Sequence, residues 1–296
     1  MQRPPLCLIT GANSGLGKVT AIELARNGFD IIMLCRDEIK AQRVQQEVQA
    51  ASKTRNVYLV QCDLGDMQSV RRAAGEINRR FDHLDVLINN AGRVVNDLQY
   101  SPGGIELTFA TNYLSHFLLT HLLLDLLKKS NEGRIINVAS ELHYAAPFDL
   151  DNIVKRDKSD YSAIGAYSDS KLAKLLFSFE LADRLMDYGI TVNALHPWLV
   201  DSNFAEDGDA KGVLHLAFSV AKLFAPEPET MAKTHIYLAS SPEIHNVTGL
   251  YFARCKPLEP SDKARNQKLG LQLWQLSEQL VGIEYPIPQP PLLAPN

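Results

Sequence analysis

Apolar residues along this chain come in two rhythms. Leu6–Thr10, Ile31–Cys35, Val57–Gln61, Val86–Asn89, Ile135–Ala139 and Thr191–Leu195 are short runs, apolar on both faces. Such runs form strands covered by helices on two sides. Between them lie longer stretches with helical spacing: Leu16–Asn27, Glu38–Ala51, Met67–Arg80, Gly104–Lys129 and Ser168–Asp187. A seventh strand is predicted near Leu250–Ala253, after a helix ending around Ala239. Alternation of this kind implies parallel βαβ units with right-handed crossovers. The predicted fold class is α/β, a single-domain, Rossmann-like, doubly wound parallel sheet of about seven strands with helices on both faces.

No break in composition divides the chain until its end. Residues 1–255 are read as the dinucleotide-fold body, and 256–296 as a tail with a helical patch around Ala264–Leu280 and a proline-rich, extended end from Pro286 to Pro295. The loop at about 200–225 follows the sixth strand. It is expected to overhang the C-terminal edge of the sheet, where open α/β sheets bind their ligands. Leu172, Leu175, Leu176 and Phe179 run nearly all round their helix, so that helix is buried on all sides. Either a second subunit or the insertion at 141–160 would cover it. The patch Leu269, Leu273, Trp274, Leu276 and Leu280 covers a substrate mouth, meets a partner or touches lipid; these options stay open.

Composition narrows the classes. Of 296 residues, 46% are hydrophobic and 22% charged, as in globular proteins. Thirty basic residues face 34 acidic ones, for a net charge of −4. That leaves no cationic excess for phosphates along a duplex, so no nucleic-acid role is expected. Cys7, Cys35, Cys62 and Cys255 are too few and scattered for a disulfide framework or zinc, so no metal is expected. They read as small apolar filler in a reducing compartment. The first apolar run, Leu6 to Ile9, is too short for a signal peptide, and His121 and Asp125 interrupt the greasiest stretch, His116–Leu127. A cytoplasmic protein without a transmembrane anchor is expected, with a peripheral membrane contact left open.

Candidate chemistry begins at Thr10-Gly11-Ala12-Asn13-Ser14-Gly15-Leu16-Gly17, immediately after the first strand. Glycines there permit a tight turn, close backbone approach to a pyrophosphate, and close packing of helix on strand. The helix N-terminus then favours the anion. At the end of the second strand an NAD site usually places an acid for the ribose. This chain has Cys35 and Arg36, and Asp37 reads as the cap of the next helix. An arginine fork suits a 2′-phosphate, so NADP(H) is preferred over NAD(H); the alternative is that Arg36 is a solvated loop charge. Tyr167 and Lys171 are four apart and share a helix face, where an ammonium would favour the phenolate. Ser140 lies at the end of the fifth strand, at the same sheet edge.

These motifs, in this order, resemble the short-chain dehydrogenase/reductase family over roughly residues 6–254. The glycine loop matches, as does Asn89-Asn90-Ala91-Gly92 after the fourth strand. Asp63, followed by Leu64, matches the adenine-contacting acid, and Pro197, Val200 and Ser202 match the segment at the nicotinamide. Asn112, Ser140, Tyr167 and Lys171 match the family's catalytic four. The resemblance implies that Tyr167 exchanges a proton with the substrate oxygen, which Ser140 hydrogen-bonds. Lys171 holds the ribose and lowers the tyrosine pKa, and Asn112 holds a relay water. One departure is Trp198, where the family usually has glycine after Pro197.

The long gap from Ser140 to Tyr167, the Leu34-Cys35-Arg36-Asp37 strand end and the Thr111–Thr120 segment resemble the retinol dehydrogenase, WW-domain oxidoreductase and protochlorophyllide reductase neighbourhood. The implied function is NADP(H)-dependent carbonyl reduction or alcohol oxidation on a bulky apolar substrate. Alternatives are a non-catalytic dinucleotide-binding scaffold and a C=C reductase. His143, Tyr144, Trp198 and Phe204 are candidates to line the substrate pocket. A homodimer through the long helices, as in other members, is one option.

Overall fold

The computed structural model describes residues 3–54, 56–197 and 227–287. β1 (Leu6–Thr10), β2 (Asp30–Cys35), β3 (Val57–Gln61), β4 (Val86–Asn89), β5 (Arg134–Val138), β6 (Thr191–Leu195), β7 (Tyr251–Ala253) and β8 (Lys256–Pro257) form one sheet. Their order is β3-β2-β1-β4-β5-β6-β7-β8. All neighbours are parallel except β7 and β8. The strand β8 exceeds the predicted count. It folds back through Arg254 and Cys255, both at positive φ (50° and 60°). Asn-Gly or Asp-Gly usually marks such a turn, so Arg-Cys concealed it.

The helices are α1 (Gly15–Arg26), α2 (Glu38–Ala51), α3 (Met67–Arg80), α4 (Leu107–Phe109), α5 (Ser115–Leu127), α6 (Ala163–Arg184), α7 (Pro228–Ser240) and α8 (Gln267–Val281). Strand residues alternate between two cores. Leu8, Ile32, Leu34, Leu87 and Ile135 pack with side chains of α3, α5, α6 and α8. Cys7, Ile9, Ile31, Met33 and Ile88 pack with α1, α2 and α7 on the other face. Winding reverses between β1 and β4, so a crevice opens at their C-terminal ends, as doubly wound sheets require.

The single helix predicted over Gly104–Lys129 is divided. Gly104 takes φ +74° in a loop. The buried Glu106 carboxylate then accepts from the N–H groups of Thr108 and Phe109 at 2.9 and 2.7 Å, which starts the helix at Leu107. A π-helical turn, Ala110–Leu114, separates α4 from α5. Helix α6 begins earlier than predicted, at Ala163, because Ser162 Oγ caps it by accepting from Gly165 N–H. Tyr167 therefore lies inside the helix.

The tail is not a separate layer. Leu273, Trp274, Val281, Tyr285 and Ile287 are buried in the same core as α6. Tyr113 and Ser277 share a hydroxyl hydrogen bond at 2.7 Å, and Tyr285 Oη donates to the Phe117 carbonyl at 2.7 Å. Helix α8 thus covers α6 with Leu273 and Trp274, while Leu269, Leu276 and Leu280 of the same patch are half-buried.

Candidate active site

Gly11 and Gly15 adopt φ of +68° and +49°, which L side chains rarely tolerate. A Cβ on Gly17 would stand 2.3 Å from the Gly11 carbonyl oxygen. Ser14, in front of α1, is extended and makes no side-chain cap bond, and no acid sits in the first turn. The α1 N-terminus is therefore a cradle for an anion. Ala91 N–H donates to Thr10 Oγ1 at 2.9 Å and Asn90 Nδ2 to the Thr10 carbonyl at 2.9 Å. Both bonds join the loops on either side of the crevice.

The crevice continues past Asn13 and Ser14 to Cys35, Arg36, Lys40, Asp63 and Leu64, with Ala91, Gly92, Arg93 and Thr111 on the opposite wall. Asp37 caps α2, accepting from Lys40 N–H at 2.9 Å, as the sequence predicts. Burial pushes the Cys35 thiol up to about 12. The β2 tip therefore presents a neutral thiol and two cations. Lys40, one helical turn after Arg36, was not singled out from sequence, although its spacing from Arg36 carries the signal. Asp63 Oδ1 accepts from Gly65 N–H at 2.8 Å at the far wall. Leu16 is buried in α1 and Asn90 is bonded to Thr10, so these two shape the crevice from behind. The residues fit a dinucleotide: glycines where a Cβ would intrude, an uncapped helix N-terminus, and cations at the ribose end.

Beyond the end of β5, Ser140 caps a 3-10 turn, Glu141–Ala145, by accepting from Leu142 N–H at 3.2 Å. Tyr167 is 9% exposed. Burial raises its pKa, and its hydrogen bond with the Ser140 hydroxyl opposes that shift. Lys171 Nζ lies 5.2 Å from the Tyr167 ring centre and donates to the Val138 carbonyl at 2.9 Å. Burial lowers Lys171 to about 7. Desolvation thus acts on both groups in the direction of their neutral forms. A Cβ on Gly92 would stand 3.4 Å from Lys171 Nζ and 3.5 Å from Asn112 Oδ1, so glycine keeps that gap clear.

Asn112 sits in the π turn. Its amide accepts from Arg93 N–H at 2.8 Å and donates to the Arg93 carbonyl at 2.9 Å and to Ser170 Oγ at 3.0 Å. Its own carbonyl faces His116 Nδ1 at 3.0 Å. Behind lies a buried lysine absent from the sequence reading. Lys174 Nζ donates to the Asn89 carbonyl at 2.9 Å and stands 3.1 Å from His116 Nδ1. Burial holds both groups well below their ordinary pKa values.

Residues 6–148 match the family described as short chain dehydrogenase. Human retinol dehydrogenase 13 is 37% identical over 282 residues, covering 94% of this chain and 85% of its own. The chain belongs to the short-chain dehydrogenase/reductase family. Human retinol dehydrogenase 14 is 39% identical over 290 residues, 93% of this chain and 86% of its own. The crystal structure of an uncharacterized protein from Mycobacterium paratuberculosis matches with a TM-score of 0.75 at 33% identity, covering 96% of this chain and 97% of that one. As a short-chain dehydrogenase the protein is an oxidoreductase by family, and the two human relatives named here are retinol dehydrogenases.

Of the pocket candidates, Trp198 and Phe204 lie outside the described residues, as do Val200 and Ser202 of the nicotinamide segment and the whole 200–225 loop. Pro197 follows β6 and is half-buried. His143 and Tyr144 differ in exposure: the first is buried and the second half exposed. His143 is fully buried with both ring nitrogens bonded, and Tyr144 Oη donates to the Glu259 carbonyl. No helix among the described residues is long and apolar enough to cross a membrane.

Proposed function

We propose that this short-chain dehydrogenase reduces a carbonyl, or oxidises the matching alcohol, on a bulky apolar substrate of retinoid, steroid or long-aldehyde character, using NADP(H) in preference to NAD(H). The observation that carries the reading is the hydrogen-bonded pair Tyr167 and Ser140 with Lys171 beside it, next to Gly92 of the crevice that also carries Arg36 and Lys40. The dinucleotide, when bound, supplies or takes up hydride at its nicotinamide ring. Gly11, Asn13, Ser14, Gly15 and Gly17 would hold its phosphates, Asp63 and Leu64 its adenine side, and Arg36 with Lys40 a 2′-phosphate.

In reduction, Tyr167 Oη gives its proton to the carbonyl oxygen while the Ser140 hydroxyl hydrogen-bonds that oxygen. Burial keeps the phenol protonated at neutral pH, and its hydrogen bond with Ser140 acts in the direction that eases loss of that proton. Lys171, near neutrality, can return a proton toward the tyrosine, and the ordered Asn112 turn fixes the wall beside it. The retinol dehydrogenase names of the relatives support an apolar substrate. NADPH oxidation against a panel of aldehydes, ketones and retinoids tests the reading. Turnover of apolar aldehydes that Tyr167→Phe abolishes is expected; NADPH binding without turnover of any of them would favour a non-catalytic role.

A further inference from the structure

His143 lies three residues after Ser140, and its ring is completely buried. Its Nδ1 stands 2.7 Å from the Ser140 carbonyl oxygen. A carbonyl can only accept, so Nδ1 carries the proton. Its Nε2 stands 3.1 Å from the backbone nitrogen of Ser261. That N–H can only donate, so Nε2 is the acceptor. A single neutral tautomer satisfies both, and burial holds the ring pKa below its ordinary value, which keeps it neutral. The ring meets Tyr251 edge-on at 5.3 Å and 83°, and the Tyr251 hydroxyl lies 2.6 Å from His196 Nδ1, next to Pro197. Lys263 Nζ donates to the Ala146 carbonyl at 2.8 Å, so the same C-terminal segment is fastened on either side of the imidazole.

The sheet itself stops short of Ser140. β5 ends at Val138, and Ala139 N–H just beyond it donates to the Leu195 carbonyl at 2.7 Å. In the turn that follows, the Ser140 carbonyl accepts from the His143 backbone N–H at 3.2 Å as well as from the ring. We propose that His143 is a positioning residue for Ser140, tying the turn that carries it to the C-terminal segment at Ser261. This rests on the reading of Ser140 as the group that holds the substrate oxygen. A hydroxyl displaced by about 1 Å loses on the order of 100-fold in rate.

The test uses the full chain and whichever panel aldehyde it reduces fastest. His143→Ala should lower kcat about 10–100-fold with the KM for NADPH unchanged. His143→Asn should recover part of kcat, because its Nδ2 replaces the Nδ1 donor while Ser261 stays without its acceptor. In both variants the Ser261 amide should exchange hydrogen faster, because no acceptor is left at the Nε2 position. An alanine variant with unaltered kcat overturns the proposal. So does one whose kcat and NADPH affinity fall together without rescue by asparagine. Ser140→Ala, run alongside, separates the two claims: full kcat there removes the reading of Ser140, whereas loss of kcat there with none in His143→Ala removes the positioning role alone. Should the alanine variant fail to fold, nitrogen NMR of the unaltered protein decides. A neutral, Nδ1-protonated His143 at neutral pH is expected, and the opposite tautomer overturns the proposal.

Discussion

Gly17 lies against Gly11 so closely that a Cβ on Gly17 would stand 2.3 Å from the Gly11 carbonyl oxygen and 2.6 Å from Asn90 Nδ2. The first contact is backbone and cannot rotate away. Helix α1 therefore reaches the β1 loop only because residue 17 has no side chain. Gly17→Ala must push α1 outward, and overpacking of this kind costs about 1–3 kcal/mol. The variant should melt several degrees lower and bind NADPH at least tenfold more weakly, read by thermal denaturation and fluorescence titration. Unchanged affinity would show that α1 does not set the phosphate cradle.

Tyr167→Phe keeps the ring in its buried place and deletes the hydroxyl bonded to Ser140. Loss of a general acid lowers kcat by roughly 10²–10⁴-fold. NADPH affinity should stay near that of the unaltered chain, since the ring remains. A variant with normal kcat would move the proton donor elsewhere.

Lys171 illustrates how burial couples the site to stability. Its folded-state pKa is about 7 against 10.5 for a free lysine. Below about pH 7 both states are protonated and the full desolvation cost is borne by the fold. Between about pH 7 and 10.5 the unfolded chain binds a proton that the folded chain lacks, so stability from this group rises with pH, by up to ~1.4 kcal/mol per unit. Lys171→Met removes the cost along with the activity. The variant should be more stable than the unaltered protein near pH 6–7, with the advantage shrinking toward pH 10. Urea denaturation at about pH 6.5 and 9 measures it, and a difference independent of pH would show that Lys171 is better solvated than its surroundings suggest.

The strands and the motif residues were legible because each is decided locally. Leu6–Thr10, Val57–Gln61, Val86–Asn89 and Thr191–Leu195 are apolar on both faces and end where predicted. What stayed hidden depends on pairs distant in the chain. Arg254-Cys255 makes a hairpin without its usual residues. Glu106 starts a helix as a buried cap, which charge alone would place at the surface. His143 finds Ser261 across 118 positions, and Trp274 finds the α6 core; no periodicity reports either. Lys174 gives no signal in the sequence, although its neighbours bury it completely. In the site, Ser140, Tyr167 and Lys171, named in the sequence through the family resemblance, lie close together in the structure. The balance of their pKa values was not legible, because desolvation depends on packing.

The proposed preference for NADP(H) rests on Arg36 and Lys40, which line the crevice beside the neutral Cys35 thiol. The acid of that segment, Asp37, is turned to the α2 backbone and accepts from Lys40 N–H at 2.9 Å. A 2′-phosphate carries close to two negative charges. A charge-assisted hydrogen bond to such a group contributes about 1.5–3 kcal/mol, or roughly 10–150-fold in affinity. Arg36→Ala should therefore raise the KM for NADPH by about one to two decades and leave that for NADH almost unchanged. Lys40→Ala should do the same more weakly, since an ammonium binds as a point charge without the arginine fork. Adding Cys35→Asp to Arg36→Ala should improve NADH use, because a carboxylate there accepts from the ribose hydroxyl and repels a phosphate. Kd for both reduced cofactors, titrated by fluorescence at two salt concentrations, comes first. NADPH should bind more tightly and lose its margin as salt rises. Equal affinities, or tighter NADH, would leave Arg36 and Lys40 as solvated charges on the rim of a site that reads its cofactor some other way.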